Sequence, residues 1–168
     1  VYNDAESSAL EIEKTTKKSV RFDGQVTVCS LKNLLFFKSQ IKTIRATVFL
    51  ESRCIKLDQM LKFDVSLENV SSRKIKQLFA LLIVSLETHA NEEKSFAQVL
   101  KHELASLNPR ESKHLQNVIL NLPINKIHKL LQSNHLKNVS FYLVLTTRVN
   151  FKRTLNTSDF IIPILICL

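Results

Sequence analysis

Between Leu61 and Glu68 every second residue is apolar: Leu61, Phe63, Val65 and Leu67 alternate with Lys62, Asp64, Ser66 and Glu68. In an extended chain successive side chains point to opposite faces. This stretch therefore separates an oily face from a wet one as a strand, and scatters the two as a helix. Asn69-Val70-Ser71-Ser72 follows with turn chemistry. The same pattern returns at Val139–Val149, where Val139, Phe141, Leu143, Leu145, Thr147 and Val149 share one face. It also occurs at Ile41–Leu50, with Ile44, Ala46, Val48 and Leu50 on one side. Phe160–Ile166 is a short apolar run containing Pro163. Proline cannot donate to a ladder, so this run reads as an edge strand or a bulge.

The middle of the chain carries a different period. Ile75, Leu78, Phe79, Leu82, Ile83 and Leu86 fall at helical spacing, as do Phe96, Val99, Leu100 and Leu104 up to Pro109. Lys126–Leu131 is a further short helical segment. On periodicity alone the chain is α+β, without internal repeats. The first residues are polar, so 1–38 reads as a linker or tail with room for a short strand, and 39–168 as the folded domain.

Composition narrows the function classes. With 168 residues, 45% apolar and 23% charged, the chain suits one globular domain. Its single glycine, Gly24, cannot supply the close backbone approach that phosphate-cradling loops need, so no nucleotide cofactor is expected. Cys29, Cys54 and Cys167 are odd in number, far apart and without a C-x-x-C motif. They read as buried or partly buried free thiols in a reducing compartment. No apolar run approaches the roughly 20 residues of a membrane helix. The chain opens Val-Tyr-Asn-Asp without the apolar core of a signal peptide. The net charge of +9 favours acidic partners, although scattered lysines and arginines also keep a surface soluble.

Candidate chemistry is sparse. His89, His102, His114, His128 and His135 have no metal-ligand spacing and read as ordinary surface or partly buried side chains. There is no G-x-S-x-G nucleophile motif. Glu92-Glu93 and Glu103 read as solvated carboxylates. No catalytic residue, metal ligand or cofactor site is expected. Arg73, Lys74 and Lys76 follow the Asn-x-Ser-Ser turn and form a candidate anion or partner patch, set against a plain charged loop that discourages aggregation. Three Asn-x-Ser/Thr sequons, at Asn69, Asn138 and Asn156, are about what chance supplies.

From Gln40 onward the chain resembles the C-terminal arrestin domain of the alpha-arrestins. Lys42–Leu50 resembles the opening strand. Leu61–Asn69 followed by Val70-Ser71-Ser72-Arg73-Lys74-Ile75 resembles the strand, turn and basic–aliphatic restart. Leu115–Leu122 with Pro123, Val139-Ser140-Phe141-Tyr142-Leu143 and Phe160-Ile161-Ile162-Pro163-Ile164 resemble the later strands, in the family's order. The chain departs from the pattern at Lys56-Leu57-Asp58-Gln59, where Pro-Gly is usual, and at Phe141, where tyrosine is usual.

The resemblance implies an all-β, immunoglobulin-like β-sandwich of about seven antiparallel strands, with Ile75–Leu86 a long strand buried on both faces rather than a helix. It implies a non-catalytic adaptor in endocytic sorting, ubiquitination and signalling. Such a domain would be cytoplasmic, peripheral to the plasma membrane or endosomes, and would bind cytoplasmic segments of membrane proteins and an anionic membrane surface. The family recruits its ubiquitin ligases through Pro-Pro-x-Tyr motifs. With only Pro109, Pro123 and Pro163, this chain has none, so that contact would lie in other regions. Two rivals remain open: a secreted immunoglobulin-like adhesion module that uses the sequons, and a basic α+β nucleic-acid-binding domain. Aromatics at 7% without tryptophan supply base stacking poorly, so no nucleic-acid partner is expected.

Overall fold

The alternating stretches become strands, and the strands fall into two layers. The structure, a computed structural model, describes residues 19–29, 41–56, 60–151, 155 and 158–167. Their elements are β1 (Val20–Cys29), β2 (Ile41–Leu50), β3 (Cys54–Lys56), β4 (Leu61–Asn69), β5 (Ile75–Thr88), β6 (Asn91–Leu107), β7 (Ser112–Leu120), helix α1 (Ile124–Leu131), β8 (Leu136–Thr146) and β9 (Phe160–Cys167). One sheet has the order β1-β2-β4-β7 and the other β3-β9-β8-β5-β6. Every pairing is antiparallel except β3 with β9. The fold is an all-β sandwich, with nine strands among the described residues where about seven were expected.

The predicted faces hold. Leu61, Phe63, Val65 and Leu67 are buried, while Lys62 and Glu68 are exposed and Asp64 and Ser66 half-buried. Ile44, Ala46, Val48 and Leu50 face the same core. On β8, Phe141, Leu143 and Leu145 are buried, but the strand ends at Thr146 and Val149 is exposed. Pro163 lies opposite Tyr142 of β8. On its other side β9 meets β3 only from Leu165 onward, so the proline sits where β9 is still an edge.

The helical period at Ile75–Leu86 and Phe96–Leu104 is overruled: both segments are strands, of 14 and 17 residues. β5 is buried on both faces. Leu78, Ala80, Leu82 and Val84 join the inter-sheet core, while Phe79, Leu81 and Ile83 join a second cluster with Val144, packed by Phe96, Tyr142, Phe151, Leu155 and Ile161. A strand with two oily faces has no period of its own. The α+β premise of the nucleic-acid rival is thereby removed. The short helix at Lys126–Leu131 does form, as part of α1, and seats Ile127 in the core.

Before position 39 lies β1, ten residues long and paired with β2 from Val20↔Leu50 to Cys29↔Ile41 at the edge of its sheet. Gly24 lies on it, and the reason for glycine is packing rather than a turn. A Cβ there would sit 2.3 Å from the Phe160 ring, so the ring rests directly on the backbone.

Candidate functional site

Asn69 ends β4 and is fully buried. A buried amide must find partners for both its ends. Its Nδ2 donates to the carbonyls of Arg73 (2.8 Å) and Asn108 (2.9 Å). Its Oδ1 accepts from the Ser71 N–H (3.1 Å) and the Ser71 hydroxyl (2.6 Å). Its backbone N–H donates to Glu111 O, and Arg110 N–H donates to Ser71 O. One side chain thus ties the β4–β5 turn to the β6–β7 turn. Arg110 takes a left-handed conformation, φ 59°, within the second turn.

This corner fixes the backbone that carries the expected patch. Arg73, Lys74 and Lys76 are all exposed. Lys74 and Lys76 flank the buried Ile75 and share the opposite side of the chain. Lys42, from β2, reaches across to donate to Lys74 O (3.4 Å). Glu111 is the carboxylate of the corner. The Asn108 N–H bond holds its carboxyl below the usual range, and Lys113 and Lys74 add to this. Beside the corner opens a groove of about 280 Å³, lined by Val28, Lys42, Ile75, Lys76, Gln77, Thr147 and Val149. Its described lining offers two ammonium groups, aliphatic surface and no carboxylate. The arrangement can attract an anionic group and hold an apolar neighbour beside it. Sequence reading found the three cations but not Lys42 or the buried Asn69 that organises them.

A second constellation lies on the outer face of the β1-β2-β4-β7 sheet. Ser66 and His114 oppose each other on β4 and β7, with Oγ and Nδ1 2.7 Å apart. Hydroxyl and imidazole are two parts of a nucleophile–base set. Among the described residues no carboxylate hydrogen-bonds His114. The nearby Glu68 is instead 3.5 Å from Arg45. The pair lies in a shallow depression with Thr47 and Lys113. All five histidines are exposed. Among the described residues no group of three or more His, Cys, Asp or Glu could hold a metal ion, and no helix is long and apolar enough to cross a membrane. Glu103 is exposed, and the side chains of Glu92 and Glu93 lie outside the described residues.

The cysteine expectation is corrected at one position. Cys54 is exposed and disulfide-bonded, not a buried free thiol. With three widely spaced cysteines, spacing alone could not signal a bond. The side chains of Cys29 and Cys167 lie outside the described residues. Of the sequons, Asn69 is buried, Asn138 is exposed, and Asn156 lies outside the described residues. No family model matches the chain, and no curated protein matches it.

Proposed function

We propose that this chain is a non-catalytic adaptor domain that binds cytoplasmic segments of membrane proteins through the basic corner, with an anionic membrane surface as a supporting contact. The observation that carries this reading is the juxtaposition of Arg73 and Lys74, on a turn anchored by buried Asn69, with Lys76 at the start of β5, beside a groove edged by Lys42 and Lys76. The resemblance to alpha-arrestin C-terminal domains, on the motifs quoted above, supplies the adaptor role. Each lysine or arginine near an anionic leaflet contributes about 1 kcal/mol, within a Debye length of about 8 Å at physiological salt. Four cations give weak recruitment, and protein contacts give specificity.

The test is co-sedimentation with phosphatidylserine vesicles, and titration with an acidic peptide, at low and physiological salt. Binding should fall as salt rises. The triple variant Arg73→Ala, Lys74→Ala, Lys76→Ala should lose most of it. A protein that ignores both probes at low salt has no such site.

The Cys54 disulfide favours a second reading, a secreted sandwich module, because disulfides persist in oxidising compartments. Burial removes Asn69 as a glycan acceptor and leaves Asn138 exposed. Thiol alkylation of the protein rapidly isolated from its own cells separates the readings. An alkylatable Cys54 supports the adaptor, and a protected one the secreted module.

A further inference from the structure

β6 closes one side of its sheet. Among the described residues it pairs with β5 alone, and other strands reach its backbone only near its end, where Ser106 O accepts from Lys113 and Leu107 O from Asn69. Such an edge is a template for another strand, and proteins cover or blunt it. The sequence on this edge is self-complementary. Val99-Leu100-Lys101-His102-Glu103-Leu104-Ala105 read backwards sets Leu100 opposite Leu104 and Lys101 opposite Glu103, with His102 at the centre.

We propose that a second copy of this chain pairs with β6, antiparallel about a twofold axis at His102, joining two five-stranded sheets into one. The faces agree with this register. Lys101 and Glu103 lie opposite Leu81 and Phe79 of β5, on the outer face of the sheet. Leu100 and Leu104 pack against the inter-sheet core. Directly opposed residues of an antiparallel pair share a face. Each Lys101 therefore meets the partner copy's Glu103 on the outside, and each Leu100 meets its Leu104 on the inside.

Lys101 lies on the outer face with its ammonium turned inward over β5, and pairing requires it to swing out to the edge. Its ammonium lies 4.0 Å from the Phe79 ring centroid and donates to Val149 O at 2.6 Å. Glu103 and His102 are exposed. The β5–β6 register shifts on either side of the stretch from Leu82↔Leu100 to Phe79↔Glu103. Those bulges leave the central Lys101-His102-Glu103 in regular pairing and put Leu104 at the flanking bulge, with its side chain still on the core side. A twofold pair consumes the edge on both copies, so the assembly stops at two.

The proposal is independent of the basic corner. Its test is sedimentation velocity of the whole chain over a range of concentrations at physiological salt. A reversible monomer–dimer equilibrium is expected. Glu103→Lys places lysine against lysine twice and should raise the dissociation constant about tenfold or more. Lys101→Glu combined with Glu103→Lys swaps both charges and should restore dimerisation. Circular dichroism and thermal unfolding check that each variant is folded. A chain that stays monomeric at every concentration overturns the proposal. So does a dimer that a folded Glu103→Lys variant forms equally well.

Discussion

Arg148, just past the end of β8, bonds through its guanidinium to the carboxylate of Asp159, just before β9, and so closes the base of the long β8–β9 connection. The Asp159 side chain is 2% exposed and that of Arg148 26%. Removing one partner of such a pair leaves a charge in a dry place. Arg148→Met should therefore destabilise the fold by about 3 kcal/mol. Adding Asp159→Asn should recover part of the loss. Urea unfolding checks both, and a single variant within about 1 kcal/mol of the parent would mean the carboxylate finds other partners.

Asn69 should be the most sensitive polar residue of the corner. Asn69→Ala removes a buried amide and strands the carbonyls of Arg73 and Asn108, an expected loss of about 1–3 kcal/mol. Asn69→Asp should be worse, because it points an acceptor at acceptors. Because the same amide holds the turn that carries Arg73, the alanine variant should also weaken vesicle binding while remaining folded. Unchanged stability would show that water replaces the amide.

Gly24→Ala is the smallest informative change. The added methyl would overlap the Phe160 ring, which must move or push β1 away. Overpacking of this kind costs about 1–3 kcal/mol. Phe160→Leu in the same chain should relieve part of it. If calorimetry finds Gly24→Ala as stable as the parent, the ring has room to turn.

Acid should loosen the corner through Glu111. Its folded carboxyl titrates below the ordinary value of 4.5 because the Asn108 N–H favours the ionised form. A depressed carboxyl stabilises the fold above the unfolded value and loses that contribution as pH falls through the folded one. Stability should thus decline below about pH 4.5, and Glu111→Gln should flatten that part of the curve. Parallel pH profiles for parent and variant would assign the decline to other carboxylates.

Strand faces were legible wherever one side of a strand meets water. At Ile44–Leu50 and Leu61–Leu67 the alternation and the burial coincide residue by residue. β5 was not legible by period, because Phe79, Leu81 and Ile83 find a second core on the far side of the sheet. β6 misled for a different reason. Leu82 pairs with Leu100 but Ile83 with Gln98, so one extra residue slips in and Val99 and Leu100 both pack toward the main core. A bulge turns a two-residue period into one that mimics a helix. At the site, Arg73, Lys74 and Lys76 were visible as charge. Ser66 and His114 are 48 positions apart and meet only through strand pairing. Asn69 gave a turn signal, but nothing in the sequence told a buried clamp from an exposed acceptor.

The double burial of β5 also sets the order in which this chain can assemble. Its hairpin with β6 closes over a turn at His89–Ala90, while its other neighbour, β8, arrives from some fifty positions downstream, as in Leu86↔Val139. Loop closure makes the near partner fast and the far one slow. Until β8 docks and Val144 covers Leu81 and Ile83, the nascent hairpin shows oily surface on both sides at once. During synthesis one oily face of the hairpin must therefore wait for β8, made some fifty positions later, and that interval is where a chaperone would be needed most.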